Sequence, residues 1–295
     1  MERTVSIYSG GHRIAGIIEV PDNHTTGIKL PGIVLCQGPG GIKELFVPDV
    51  AKRLTQAGFI SLRFDYRGWG ASEGIPNRII PLEQVDDIRN AITFLQLQPE
   101  IDTNRLGLWG AATGGANATY VTGIDNRVKC MVSVSGMGNL GRWFKSLRRY
   151  WEWIEFLEML EKDRANRVLT GKSKLVPTSD IIKRDPVTER FAEEALKRYP
   201  EMKGRQTMIT LESAEAMMEF CPEDVVSRIT PRSAMWICAG KDTLLPNFES
   251  QSMYSRAGEP RKLVVIEGEE HHAIYTGSGF EKMITATISW FKQHL

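Results

Sequence analysis

The chain has 295 residues, 42% hydrophobic and 25% charged, which supports one large core or two small ones and excludes disordered, collagen-like and coiled-coil chains. Its 37 Lys and Arg against 36 Asp and Glu leave a formal net charge of +1, so no global field recruits nucleic acid or an anionic membrane. The most apolar stretches, 32–36 and 262–266, are strand-sized, far below the roughly 20 residues of a bilayer span.

The first residues, Met1-Glu2-Arg3-Thr4-Val5-Ser6-Ile7, hold no apolar secretory segment and run straight into strand-like alternation, so a cytoplasmic protein is expected. Residues 4–8 and 13–20 read as two strands joined around Gly10-Gly11. From residue 32 the pattern changes. A continuous apolar strand (32–36) is followed by Gln37-Gly38-Pro39-Gly40-Gly41 and by helix-period residues Phe46, Val50 and Leu54 that stop at Gly58. Strand 59–64, helix 82–97, strand 105–109, helix 114–122 and strand 128–134 come next. Strands alternating with helices predict βαβ units and a parallel sheet. Residues 139–230 break the alternation: they are charged, helical in period, rich in Trp and Met, and show no buried strand. Strand 233–239, helix 248–257, strand 262–267 and helix 280–294 then resume it. The expectation is one α/β domain (1–138 and 231–295) interrupted by a helical cap (139–230). Cys36, Cys130, Cys221 and Cys238 are widely spaced, three of them in apolar strand-like runs, as suits buried thiols rather than a disulfide frame or a zinc site.

Ligands of open α/β sheets sit beyond the carboxyl ends of the strands, which puts the loops after residues 36, 64, 109, 134, 239 and 267 on one rim. The loop Gly110-Ala111-Ala112-Thr113-Gly114-Gly115 has small residues on both sides of a sharp strand-to-helix turn, the steric requirement of a nucleophile elbow. Lys241-Asp242 follows a later strand, and the last strand enters Gly268-Glu269-Glu270-His271-His272. Elbow, acid, histidine is the chain order of α/β hydrolases. Consecutive residues rarely converge on one ion, so the Glu-Glu-His-His run is not read as a metal site. The loop 38–41 lacks both the dinucleotide and the phosphate-loop fingerprints, so no cofactor is implied.

Leu106-Gly107-Leu108-Trp109-Gly110, Phe64-Asp65-Tyr66-Arg67-Gly68-Trp69-Gly70-Ala71-Ser72-Glu73-Gly74, Gly240-Lys241-Asp242-Thr243-Leu244-Leu245-Pro246 and Gly268-Glu269-Glu270-His271 together resemble the serine α/β-hydrolase superfamily, most closely its branch of dienelactone hydrolases and Xaa-Pro peptidase-type esterases. The resemblance covers 31–136 and 231–295 and implies an α/β-hydrolase fold: a mostly parallel eight-stranded sheet flanked by helices, with a helical cap. It also implies a triad in which Asp242 orients His271, and His271 serves the nucleophile at position 112. There the sequence departs from the family, because Ala112 stands where Gly-x-Ser-x-Gly has its serine, and alanine cannot form an acyl-enzyme. A Ser→Ala replacement of the kind made to trap a substrate is the preferred explanation. A natural pseudo-hydrolase is the second, and Thr113 as nucleophile the third, although the strand-to-Gly110 spacing sets the register at 112.

The oxyanion hole is expected from the Thr113 N–H and from Gly40, since Pro39 at the usual donor position has no N–H. The family spacing favours His271 over His272, which is then a satisfied packing residue. Asp65, Arg67, Gly68, Gly70 and Ser72 read as a scaffold turn, and Glu44 as a surface residue at a helix start. In the insertion, Trp143, Phe144, Leu147, Tyr150, Trp151, Ile154, Leu157 and Met159 recur at helical spacing. Packing on the domain, a homodimer contact, or a lid whose Trp143, Tyr150 and Trp151 line the pocket would each use such a face. The expected activity is hydrolysis of a carboxylic ester or related acyl bond in an apolar or aromatic small molecule. Carbon–carbon (β-diketone-type) or amide hydrolysis, or substrate binding without catalysis, are the rivals.

Overall fold

Alternation at both ends of the chain produces one sheet. In the computed structural model, which describes residues 1–198 and 207–295, the N-terminal hairpin pairs β1 (Glu2–Ser9) with β2 (His12–Glu19). The unbroken apolar runs then supply β3 (Leu30–Cys36), β4 (Ile60–Phe64), β5 (Ile101–Ala111), β6 (Val128–Val134), β9 (Ser233–Ala239) and β10 (Arg261–Ile266). They lie in the order β1-β2-β4-β3-β5-β6-β9-β10, with β1 and β2 antiparallel to their neighbours and every pair from β4 onward parallel. Strands buried on both faces read as continuous apolar runs, which is why β3, β6 and β9 were legible as strands without alternation.

Helices cover both faces of the sheet. On one side α1 (Val47–Gln56) and α10 (Gly277–His294) press Leu54, Met283 and Phe291 onto Leu35, Trp109 and Val132. On the other, α2 (Pro81–Gln96), α3 (Thr113–Ile124) and α9 (Asn247–Arg256) bring Ile88, Val121 and Met253 to Val34, Leu62 and Leu108. The Asp65–Ser72 stretch is scaffold, as expected. Asp65 accepts from Lys43 N (2.7 Å), Lys43 Nζ (2.8 Å) and Ala71 N (2.9 Å), and Arg67 grips the buried Asp87.

Between β6 and β9 the chain forms α4 (Leu140–Ser146), α5 (Tyr150–Thr170), β7 (Leu175–Pro177), α6 (Thr178–Ile181), α7 (Pro186–Arg198), β8 (Met208–Thr210) and α8 (Leu211–Met218). Two features differ from the sequence expectation. β7 and β8 pair antiparallel as a small second sheet, too short to give a periodic signal. Residues 222–229 form 3₁₀ turns against α3 rather than part of a cap, so close that a Cβ on Gly123 would lie 2.7 Å from the Val225 carbonyl oxygen. Arg142 anchors α4 to α9: it is hydrogen-bonded to Glu249 and Glu223, both buried, and Glu249 also accepts the Gly138 and Asn139 N–H groups.

No helix among the described residues is long and apolar enough to cross a membrane.

Candidate active site

β5 ends at Ala111 and α3 begins at Thr113, so the turn from strand to helix is made on Ala112 alone. Its backbone sits at φ 51°, ψ −119°, a region costing an L-residue about 1–3 kcal/mol. The conformation is held from both sides: Ala112 N–H donates to the Val134 carbonyl (2.9 Å), and the Ala112 carbonyl accepts from Gly115 N (2.9 Å) and Ala116 N (3.1 Å). The flanking glycines are a steric necessity. A Cβ on Gly110 would lie 2.1 Å from the Gly114 carbonyl oxygen, and one on Gly114 would lie 2.2 Å from that of Cys36.

The 37–41 loop passes over this elbow: a Cβ on Gly38 would stand 3.5 Å from the Ala112 methyl. Thr113, as the first residue of α3, has no helical carbonyl four residues back for its N–H. In the loop, the Gly41 N–H is taken by the Gly38 carbonyl (3.1 Å), whereas the Gly40 N–H has no partner among the described residues.

Asp242 lies in the loop after β9. Its Oδ1 accepts from Leu244 N (3.1 Å) and Leu245 N (2.7 Å), and its Oδ2 accepts from His271 Nδ1 (2.7 Å) and Ser135 Oγ (3.3 Å). A carboxylate on Nδ1 fixes the tautomer that leaves Nε2 free to take a proton. Tyr275 sets its ring edge against His271, centroids 5.8 Å apart, and burial together with the Asp242 charge pushes its phenol pKa above the ordinary value.

His272 points differently from its neighbour, its ring perpendicular to that of His271 and stacked on Phe191 at 3.9 Å. Burial, then the adjacent His271, push its pKa down to about 3, so it stays neutral. The expectation of a satisfied packing residue is corrected. His272 Nε2 is buried without a hydrogen-bond partner among the described residues, and the ring serves as a flat cavity wall.

These groups meet at one cavity of about 260 Å³. Ala112, Thr113, Gly40, His271 and Trp143 all line it, and Asp242 stands behind His271. Trp143 is buried and fixed by its indole N–H on the Leu244 carbonyl (2.8 Å). Tyr150 and Trp151 are not brought in: they are 76% and 56% exposed on the outer side of α5. The helix is interrupted after Ser146, which resets its phase, and the inward face of α5 is Phe156, Leu160 and Asp163. Glu44 pairs with Lys43 (2.8 Å), half-exposed, and does not line the cavity. Thr113 Oγ1 is buried with no hydrogen-bond partner among the described residues, so it is not coupled to His271.

Sequence reasoning missed Ser135, Tyr275, Phe46, Phe191, Met137 and Arg184. Two had a usable signal: Ser135 directly follows β6 on the rim, and Tyr275 lies one helical turn beyond His271. No cluster of metal-ligating side chains occurs among the described residues.

A one-residue strained elbow on a parallel sheet, with a carboxylate–histidine pair on the same rim, defines an α/β hydrolase. The chain belongs to the family described as serine aminopeptidase, S33, whose sequence profile matches residues 32–276. It is 30% identical over 283 residues, 96% of each chain, to an Escherichia coli protein described as "Uncharacterized 31.7 kDa protein in traX-finO intergenic region". It is also 27% identical to "Thiohydrolase aneE" of Aspergillus aculeatus, covering 90% of this chain and 86% of that one. The solved structure of the α/β hydrolase GrgF from Penicillium sp. sh18 superposes with a TM-score of 0.83 at 22% identity, covering 100% and 99% of the two chains, which shows the shared fold.

Proposed function

We propose that the cavity is a site for acyl-bond chemistry, taking a carboxylic ester or a related acyl bond such as a thioester. The observation that carries this is the hydrogen-bonded Asp242–His271 pair opening onto the same cavity as the elbow at residue 112. The names of the relatives, a thiohydrolase and a polyketide transferase among them, favour an acyl group joined through sulfur or oxygen.

With a serine at 112, His271 Nε2 takes the hydroxyl proton as Oγ attacks the carbonyl carbon. The developing oxyanion lies against the Thr113 N–H and a second donor from the 37–41 loop, for which Gly40 is uncommitted. His271 then returns the proton to the departing alkoxide or thiolate, and water repeats the cycle on the acyl-enzyme. With Ala112 the same cavity binds the acyl group but has no oxygen with which to form that bond. We read this chain as the nucleophile-less form of such an enzyme, with the elements α4 to α8 as its cap.

The test is Ala112→Ser assayed on p-nitrophenyl butyrate and on a butyryl thioester. Hydrolysis by the variant, absent from the parent chain and lost again in Ala112→Ser/His271→Gln, is expected. A folded Ala112→Ser protein inert on esters and thioesters overturns the proposal.

A further inference from the structure

The cavity carries a charge that acyl-bond cleavage by itself does not require. Among the described residues lining it there is no Asp or Glu, both histidines are accounted for, and Arg184 is the one permanently charged side chain. Arg184 lies just before α7, about a quarter exposed, in a wall otherwise built from Ile182, Phe191 and the hydroxyl-bearing Thr188. Its guanidinium makes no hydrogen bond among the described residues, and the nearest carboxylate, Glu189, stands at 3.6 Å and is itself half-exposed. The adjacent Asp185 does not neutralise it by contact. That carboxylate is occupied by the N–H groups of Val187 and Thr188 and by the hydroxyls of Thr188 and Thr243.

Arg184 also acts toward the catalytic end of the cavity. After burial and the neighbouring His271, two opposed charges reach His272, the Asp185 carboxylate, which favours its protonation, and then Arg184, which disfavours it. Arg184 therefore brings into an otherwise apolar lining a guanidinium whose ion pair, with Glu189, is long and half-exposed, and a guanidinium pairs best with a carboxylate or phosphate at hydrogen-bond distance.

We propose that Arg184 selects substrates bearing an anionic oxygen group, a carboxylate on the acyl chain or a phosphate on the leaving group. This rests on the cavity being the acyl site. Ala112 makes the experiment direct, because the parent chain binds without turnover and calorimetry reads Kd.

Two probe pairs separate the sources: monomethyl adipate against methyl hexanoate for the acyl chain, and hexanoyl-coenzyme A against the hexanoyl thioester of N-acetylcysteamine for the leaving group. At least one anionic member should bind about tenfold tighter than its neutral partner, equivalent to about 1.4 kcal/mol. The preference should weaken with salt, fall to about one in Arg184→Gln and persist in Arg184→Lys. Equal binding within both pairs, or a preference that survives in Arg184→Gln, overturns the inference. Hydrolysis of neutral p-nitrophenyl butyrate by Ala112→Ser keeps the two questions apart: activity there with flat probe pairs sinks only the role of Arg184, whereas an inert variant with an Arg184-dependent preference sinks only the acyl chemistry.

Discussion

Replacing Ala112 by glycine tests the elbow by itself, free of any assumption about substrate. At φ 51°, ψ −119° the alanine stores about 1–3 kcal/mol of backbone strain that glycine does not feel. Against this, glycine gives the unfolded chain more freedom, which costs about 0.5–1 kcal/mol. Losing a partly buried methyl costs about half of the ~0.8 kcal/mol assigned to a fully buried CH₂. The strain term is the largest of the three, so Ala112→Gly should be more stable than the parent by about 1 kcal/mol, with a melting temperature raised by about 2–4 °C. Urea unfolding and calorimetry measure both. Ala112→Ser keeps the Cβ and therefore the strain, and should match the parent within about 0.5 kcal/mol, so activity gained by that variant would be chemistry and not refolding. A destabilisation of 1 kcal/mol or more in Ala112→Gly would refute the argument, since it would mean that the hydrogen bonds around residue 112 accommodate the methyl without strain.

Arg142→Met should cost about 2–4 kcal/mol by urea unfolding, because it strands the buried Glu249 and Glu223 carboxylates; the figure is lowered for a guanidinium that is itself a third exposed. Adding Glu249→Gln should recover part of the loss, and purely additive effects would show that the network is not coupled. His272 predicts a pH effect: its folded pKa of about 3 lies below the unfolded value near 6.5, so the unfolded chain binds the proton more readily throughout that window. Its contribution is complete above pH 6.5 and is lost as pH falls toward 3. His272→Phe should therefore lose less stability than the parent between pH 7.5 and 5, and parallel losses would contradict a neutral buried imidazole.

What the sequence disclosed follows from how local each signal is. Strands buried on both faces announce themselves as apolar runs, and β6 and β9 are read to the residue from Val128–Val134 and Ser233–Ala239. The elbow was legible because its constraint is steric and written in consecutive small residues. Asp242 and His271 were legible because chain order and strand ends are enough to put them on one rim. The cavity wall was not. Phe46, Phe191 and His272 come from three separate elements and meet only as stacked rings, with Phe46 5.5 Å from Phe191 and Phe191 3.9 Å from His272. No spacing within one segment records such a meeting.

The misplacement of Tyr150 and Trp151 has a physical cause of the same kind. A continuous 3.6-residue period from Trp143 through Leu157 puts Trp143, Tyr150 and Trp151 on one stripe, and the chain is not continuous there. Arg148 turns back to the Phe144 carbonyl and reaches the carbonyls of Asp180 and Ile181, with its guanidinium 3.7 Å over the Phe156 ring, and burial pushes it down to about 10. Arg148 thus takes one carbonyl near the end of α4 and two from α6, at the break where α4 stops and α5 starts in a new phase. The aromatic stripe is thereby divided. Trp143 goes to the cavity, Phe156 goes to the interior with Leu160, and Tyr150 and Trp151 are left on the outside. An arginine in an amphipathic pattern reads as a solvated face, and here it is buried at the break that divides the aromatic stripe.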